Sequence, residues 1–257
     1  MNVAYVVHSG PFNSVLKIML TSLHRHCTCR LIFVSPDMTD TLRREVRGVF
    51  TQPVDFRPIP ETKWHGQRVA RKVWELQEIP FALGDRVLVL DSDLVIQADP
   101  FEAFDGNFDV AVTTRHYKYW YKINAGVWGV NYNEKSRRFL QFFASQIRNP
   151  TWSPFIDFKK RFEALRPVFP IKDYDWWCDQ DFLCTVYDNP LPFSCRVADL
   201  GPRYNFCPSF DDEASASFNA ACSEIIEKLG NPHYKVLHFK GRLKEILAML
   251  DADALNQ

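Results

Sequence analysis

The sequence predicts a single α/β domain in which a central, mostly parallel β-sheet carries helices on both faces. Short apolar runs at residues 3–7, 31–34 and 87–90 have the length and the continuity of strands that are buried on both faces. Segments with helical spacing, at residues 12–25 and 39–50, alternate with them. The chain has 257 residues, which suits one large α/β domain, and it contains no linker long enough to divide it.

The other elements follow from the same periodicities. Residues 54–59 predict a strand that its prolines place near the edge of the sheet. Two glycines in the apolar segment 123–131 indicate a close approach of backbone or a bulge. After Pro150 the sequence predicts irregular structure. The remaining predictions are helices at 69–76, 133–147 and 243–250, and strands at 87–90, 108–113 and 236–239.

Composition excludes several classes of protein. Lys and Arg total 31, as do Asp and Glu, so the zero net charge argues against a nucleic-acid partner. The sequence has no run of 18 or more apolar residues, so it predicts no integral membrane segment. The N-terminus lacks the pattern of a signal peptide. Seven cysteines, an odd number without a metal-site spacing, predict reduced thiols. We therefore expect a cytoplasmic protein.

The segment Asp91-Ser92-Asp93 places two acids between apolar runs. Carboxylates are rarely buried unless they are paired or bind a metal. The carboxyl end of a parallel strand is where α/β sheets bind ligands, and two carboxylates there can converge on one hard divalent cation. The alternative is a pair of solvated acids in a turn.

A second candidate is the segment that contains His238, Gly241 and Lys244. Imidazole can complete a metal shell that two carboxylates begin, and a lysine supplies positive charge to a phosphate. The glycine lets backbone amides approach an anion. The combination suits a diphosphate held between a metal and a lysine, although a histidine in an apolar run is more often a core residue.

Two further segments fit a sugar ligand. Asp179 and Gln180 follow Trp176 and Trp177, so they can form a polar floor beside an aromatic wall. The alternative is that Asp179 caps a helix over residues 180–187, and the two interpretations are compatible. The segment 124–126 is compatible with a ligand that passes close to the backbone.

Five stretches of this sequence, in order, resemble the glycosyltransferases of the GT-A (Rossmann-like) fold, most closely glycosyltransferase family 8, which includes glycogenin and the bacterial lipopolysaccharide galactosyltransferases. They lie between residues 3 and 244 and so cover nearly the whole chain. The stretches are VAYVVHSGPFNSVLKIMLTSL, RVLVLDSDLVI, INAGVWGVN, DQDFL and LHFKGRLK.

The resemblance implies a role for each matching residue. The metal would be Mn²⁺, with Mg²⁺ as the alternative, and the donor substrate a UDP-sugar. By position, the implied metal ligands are Asp91, Asp93 and His238, and the residues at the donor diphosphate are Gly241 and Lys244. Asn124 and Ala125 would lie beside the donor sugar, and Asp179 and Gln180 near its anomeric carbon. Lys72 would make a basic contact to the donor, and His8 and Ser9 would lie near the nucleotide base.

The implied reaction is the metal-dependent transfer of a hexose or similar sugar to an acceptor hydroxyl, with retention of configuration, in glycan or polysaccharide biosynthesis. Residues 1–130 would form the nucleotide-sugar half, and residues 131–257 the acceptor half with the closing metal and phosphate motif. The acceptor would be a saccharide or a lipid-linked glycan, the latter reached by peripheral contact with a membrane.

The sequence departs from the family at two places. Glu245 and Ile246 follow Lys244 where the family often has Pro-Trp, and the N-terminal loop lacks an acid that is frequent there. Two other classes stay open. A metal-dependent nucleotidyltransferase would need a glycine-rich basic loop, which HSGPFNS matches poorly. A non-catalytic nucleotide-sugar-binding protein would bind the donor without turnover.

Overall fold

A computed structural model describes residues 1–59, 65–115, 122–165, 178–208 and 215–250. It confirms the predicted α/β class. The strands are β1 (Asn2–Val7), β2 (Arg30–Ser35), β3 (Val54–Pro58), β4 (Arg86–Leu90), β5 (Leu94–Ile96), β6 (Val110–Val112), β7 (Val127–Asn131), β8 (Val197–Asp199) and β9 (Val236–His238). Within the described residues, the large sheet has seven strands in the order β3-β2-β1-β4-β7-β6-β8, and a small sheet pairs β5 with β9.

The helices cover both faces of the large sheet. None of those in the described parts of the chain combines the length and apolar character that crossing a bilayer requires. Polar caps fix several helix starts; for example, the Asn13 side chain accepts a hydrogen bond from the backbone N–H of Leu16. The helices are α1 (Ser14–His26), α2 (Asp40–Val49), α3 (His65–Gln77), α4 (Glu134–Arg148), α5 (Ser153–Leu165), α6 (Cys178–Asp188), α7 (Ser215–Lys228) and α8 (Leu243–Met249).

The apolar runs are continuous because both faces of the sheet are buried. In β1, Val3 and Tyr5 join the core cluster that contains residues of α3, α4 and α6, whereas Ala4 and Val6 join the cluster with α1 and α2. The strands β3, β2, β1 and β4 are parallel, with β3 at the edge as predicted. Strand β7 runs antiparallel to both of its neighbours, since the chain turns back after β6.

The prediction of irregular structure after Pro150 was wrong. Among the described residues, this region holds the helices α5 and α7 and the strand β8, which the sequence did not predict, in addition to α6, β9 and α8. Pro154 occupies the first turn of α5, where a missing backbone N–H costs nothing, so its presence did not exclude a helix. Trp176 and Trp177 lie outside the described residues.

The small sheet joins the C-terminal part of the chain to the centre of the large sheet. Its antiparallel register places Leu94 opposite His238 and Ile96 opposite Val236. Side chains of α1, α7 and α8 pack against this small sheet and form a third apolar cluster with it. As a result, residues at the end of β9 lie beside the turn that follows β4.

The aromatic core under α6 generates a stability prediction. The ring of Phe182 is fully buried and stacks on Phe143, with 4.2 Å between ring centroids. We expect Phe182→Ala to lower the free energy of unfolding by about 3–5 kcal/mol, because it leaves a cavity among aromatic rings. Chemical denaturation measures the effect. The control Tyr187→Ala, on the exposed side of the same helix, should change it by about 1 kcal/mol or less; equal losses would contradict the assignment of this core.

Candidate active site

The turn that contains Asp91 and Asp93 connects the two sheets. It leaves β4, which lies between β1 and β7, and enters β5. The backbone N–H of Asp91 donates to the carbonyl of Gly126 at 2.9 Å, and the carbonyl of Asp93 accepts from the N–H of Phe239 at 3.0 Å. Each acid is therefore fixed to a different sheet.

His238 lies at the end of β9, and its side chain is fully buried. Its Nε2 atom is 3.2 Å from Oδ1 of Asp93 and 3.7 Å from Oδ2 of Asp91. One ligand atom from each of the three residues lies within 4.8 Å of the other two. The structure thus brings together the three residues that the sequence analysis assigned to a metal.

The chemistry of these groups fits a divalent cation. Burial lowers the pKa of His238 despite the nearby carboxylate of Asp93, which favours the neutral imidazole that a metal ligand must be. Burial alone would raise the pKa of Asp93, but His238 and Lys244 hold it well below its usual range. Nε2 of His238 is buried and has no hydrogen-bond partner among the described residues. Two ionised carboxylates and an unused imidazole nitrogen can hold a metal ion.

Lys244 approaches the same acids from α8. Its Nζ donates to Oδ2 of Asp93 at 2.8 Å, while about half of its side chain stays exposed. Gly241 has a φ of +54° in the tight turn between β9 and α8, a backbone conformation that favours glycine. The predicted residues for a diphosphate therefore lie beside the predicted metal ligands.

Lys72 projects from α3 into the interior and is almost completely buried. Its Nζ donates to Oδ1 of Asp91 at 2.9 Å and to the carbonyl of Ala125 at 3.3 Å, and lies 3.5 Å from Oδ2 of Asp179. Burial alone would lower the pKa of Lys72, but the two carboxylates raise it above its usual value. Its ammonium thus holds two acids together; its contact with a donor stays a prediction.

Asp179 and Gln180 lie in the first turn of α6, both buried. Asp179 is inside the helix rather than at its cap, because α6 already begins at Cys178. Burial raises the pKa of Asp179, and Lys72 opposes that effect. Oε1 of Gln180 accepts from Arg115 at 3.4 Å, whereas its Nε2 is buried without a hydrogen-bond partner in the described ranges.

The segment of Asn124, Ala125 and Gly126 is buried and lies next to the side chains of Lys72, Gln180 and His238. Nδ2 of Asn124 also lacks a hydrogen-bond partner within the described chain. A Cβ atom on residue 126 would overlap the ring of His238 and would lie 3.0 Å from Oδ2 of Asp91. The predicted close approach at this glycine is therefore confirmed, and the group that approaches is the histidine.

His8 and Ser9 follow β1 and lie next to the turn that contains Asp91 and Asp93. Nδ1 of His8 lies 3.2 Å from Oγ of Ser92, and its Nε2 lies 3.1 Å from the carbonyl of Pro11. Burial lowers the pKa of His8. The ring is buried, whereas Ser9 is exposed, so the two residues differ in what they can offer a ligand.

Asn205 is a site residue that the sequence analysis missed. It is buried, and its Oδ1 lies 2.9 Å from Nδ1 of His238. Its Nδ2 donates to Oγ1 of Thr113 and to the carbonyl of Asn124. A single asparagine outside any motif carries no sequence signal, so only the packing of three separate segments reveals this contact.

Comparison with known proteins places this site in a glycosyltransferase fold. No family model and no curated protein matches the sequence. Among solved structures, the apo form of the glycosyltransferase GlyE of Streptococcus pneumoniae TIGR4 superposes with a TM-score of 0.61 at 16% identity, over 98% of this chain and 61% of GlyE. This chain thus spans about three fifths of the GlyE chain.

Two further structures are similar over most of their own length. Mouse xyloside xylosyltransferase 1 has a TM-score of 0.57 at 14% identity, over 95% of this chain and 99% of that one. An active-site mutant of LgtC has a TM-score of 0.54 at 16% identity, over 94% and 88%. Likeness at these identities establishes the fold, and the predicted GT-A type of fold is confirmed.

The buried ion pairs of Lys72 predict a pH-dependent stability effect. In the metal-free protein, Lys72→Met leaves the carboxylates of Asp91 and Asp179 without their counter-charge. We expect a loss of about 3 kcal/mol at pH 7, near the low end for a broken buried pair, because Asp91 is 35% exposed and partly screened. Lys72 lowers the pKa of both acids, but burial leaves the pKa of Asp179 above its usual value, whereas that of Asp91 lies below it. The stabilisation is therefore present at neutral pH; on acidification the share from Asp179 is lost first, and the share from Asp91 is lost at lower pH.

Denaturation curves with a chelator at several pH values test this prediction. Lys122→Met is the matched control, because it removes an exposed lysine that pairs with Asp188; it should cost about 1 kcal/mol or less. A Lys72→Met defect that stays constant from pH 7 to pH 3 would show that lost packing, rather than charge, is its cause.

The contact at Gly126 predicts that Gly126→Ala displaces the ring of His238. We expect a loss of about 1–3 kcal/mol in unfolding free energy, because the new methyl group overlaps a fully buried side chain. Gly48→Ala, in α2, is the control, since its added methyl group has no contact within 4 Å beyond its chain neighbours and the backbone of its own helix; it should be neutral or slightly stabilising. Thermal or urea unfolding of both variants is the measurement, and a neutral Gly126→Ala contradicts the packing.

Proposed function

We propose that this protein is a metal-dependent glycosyltransferase of family 8 type, which moves a hexose or similar sugar from a nucleotide sugar, a UDP-sugar, to an acceptor hydroxyl. The observation that carries the proposal is the convergence of Asp91, Asp93 and His238, with the unused Nε2 atom, at the carboxyl end of β4 in a glycosyltransferase fold. The reaction belongs to glycan or polysaccharide biosynthesis.

Asp91, Asp93 and His238 would hold Mn²⁺, with Mg²⁺ as the alternative ion. When bound there, the ion supplies positive charge against the nucleoside diphosphate that departs. Lys244 provides a second charge. Because about half of its side chain is exposed, it can turn from Asp93 to a phosphate without disrupting the core.

Two buried amides support a sugar position next to the acids. Nε2 of Gln180 and Nδ2 of Asn124 are donors without partners in the described parts of the chain, and a sugar hydroxyl can accept from each. We assign Gln180 and Asp179 to the anomeric carbon, where they stabilise positive charge as the bond to the diphosphate breaks. The oxygen of the acceptor hydroxyl then bonds to that carbon with retention of configuration, and the hydroxyl proton passes to the departing diphosphate.

The ends of the two substrates lie on either side of this centre. We assign the nucleotide base to the loop of His8 and Ser9, since the His8 ring contacts Ser92 between the two acids. The acceptor, a saccharide or a lipid-linked glycan, belongs to the half formed by residues 131–257. A lipid-linked acceptor requires peripheral contact with a cytoplasmic membrane face.

A donor panel with Mn²⁺ tests the proposed function. The protein is incubated with UDP- and GDP-sugars, and the released nucleotide is measured with and without chelator. We expect metal-dependent release from one UDP-sugar. Asp91→Asn should reduce that release by about 100-fold or more, because it removes a charged ligand. The control Asp105→Asn changes an exposed acid outside the site and should retain full activity.

The product distinguishes the competing classes. Proton NMR of the freshly hydrolysed sugar should show the anomer of the donor, as retention requires. Calorimetric binding of UDP-sugar without nucleotide release would instead indicate a non-catalytic binder. Pyrophosphate release from a nucleoside triphosphate and a sugar phosphate would indicate a nucleotidyltransferase. Full Mn²⁺-dependent release by Asp91→Asn would remove the metal assignment.

A further inference from the structure

The backbone holds Asn205 at a fixed distance from His238. Asn205 follows a short 3-10 helix at Pro202–Tyr204 and is buried between the large and the small sheet. The N–H of Phe206 donates to the carbonyl of Val236 at 2.9 Å, and the N–H of His238 donates to the carbonyl of Phe206 at 2.8 Å. Because Phe206 directly follows Asn205 and makes both of these bonds to β9, Asn205 has little freedom relative to that strand.

The hydrogen bonds of Asn205 determine which way its amide faces. One end of the amide lies 3.0 Å from the carbonyl oxygen of Asn124 and 2.9 Å from Oγ1 of Thr113. A backbone carbonyl can only accept, so the atom that faces it must be the NH₂ nitrogen. The Thr113 hydroxyl can accept from Asn205 because its own proton is directed at backbone carbonyls, of which that of Val127 is 2.8 Å away.

The opposite end of the amide is therefore Oδ1, which faces Nδ1 of His238 at 2.9 Å. An amide oxygen has no proton to give, so Nδ1 must carry one. In a neutral imidazole the other nitrogen then has a free lone pair. That nitrogen, Nε2, faces the carboxylates of Asp93 and Asp91.

We propose that Asn205 is a positioning residue for the metal site: its Oδ1 fixes the tautomer of His238, with the proton on Nδ1, and so keeps the Nε2 lone pair directed at the cation held by Asp91 and Asp93. The inference rests on the proposed function, because it concerns the same metal. Without Asn205, the Nε2–H tautomer would donate to Asp93, and the histidine would block the position that it should serve.

A simpler role for Asn205 is to bridge Thr113 and Asn124 as a structural residue. The two roles predict different behaviour for two substitutions. Asn205→Leu removes the acceptor and the donor together. Asn205→Asp keeps an acceptor for Nδ1–H but directs a carboxylate oxygen at the carbonyl of Asn124, which destabilises the fold.

The first measurement is the tautomer of His238 in the metal-free protein, from nitrogen chemical shifts and long-range ¹H–¹⁵N correlations at about pH 8, where imidazole is neutral. We expect the Nδ1–H form in the original protein and in Asn205→Asp. We expect a shift toward the Nε2–H form in Asn205→Leu. A histidine that keeps the Nδ1–H form in Asn205→Leu overturns the proposal.

The second measurement is the affinity for Mn²⁺ by titration calorimetry. We expect Asn205→Leu to weaken binding by about 10–100-fold, as for other partners of metal-bound histidines. Asn205→Asp should bind Mn²⁺ within about threefold of the original protein although it is less stable; this split is one that a purely structural role does not produce. The proposal is overturned if the loss of Mn²⁺ affinity in both variants is proportional to their loss of stability.

A matched control and the original protein separate the remaining outcomes. Asn189→Leu removes an asparagine that donates to the carbonyl of Thr185 at the far end of α6, and it should leave Mn²⁺ affinity unchanged. If the original protein neither binds Mn²⁺ nor releases nucleotide from any donor, the proposed function fails. The NMR tautomer of His238 still decides whether Asn205 controls that ring.

Discussion

The structure depends on the neutralisation of three carboxylates, two that follow β4 and one in the first turn of α6. Asp93 and Asp179 are buried, Asp91 is partly buried, and ionised groups in such positions must be paired. Their partners arrive from separate elements: Lys72 from α3, and His238 and Lys244 from β9 and α8. The packing of α3, α6, α8 and the small sheet around one turn is therefore also the assembly of the candidate site.

The two lysines serve the acids in different ways. Lys72 is buried and contacts three protein oxygens, so its charge is fixed to the fold. Lys244 is half-exposed and has Asp93 as its ion-pair partner, so it can exchange that partner for an anionic ligand. A fixed charge keeps the acids ionised and in place, while an exposed one is available to substrate. Burial thus separates the roles of the two lysines: Lys72 supports the acids, and Lys244 is available to bind an anionic ligand.

Much of the scaffold could be predicted from sequence because its signals are local. Strands that are buried on both faces need continuous apolar runs, and β1, β2 and β4 show them. The apolar run 87–90 predicted β4, which ends directly before the two acids. The prediction for the region after Pro150 failed, because α5 and α7 have weak helical patterns and depend on contacts with other parts of the chain. The role of Gly126 was also open, since a glycine does not reveal which group approaches it.

The fold class and the types of group at the site follow from local sequence patterns: two acids after β4, a histidine and a lysine near the C-terminus, and an acid–amide pair in the second half. How these groups meet depends on the packing of the folded chain. The pairing of Leu94 with His238 brings the imidazole to the acids, Lys72 joins Asp91 to Asp179, and Asn205 orients the ring. The physical reason is that hydrogen bonds and ion pairs depend on distance and direction between side chains, which residues far apart in the chain acquire only when the sheets and helices pack.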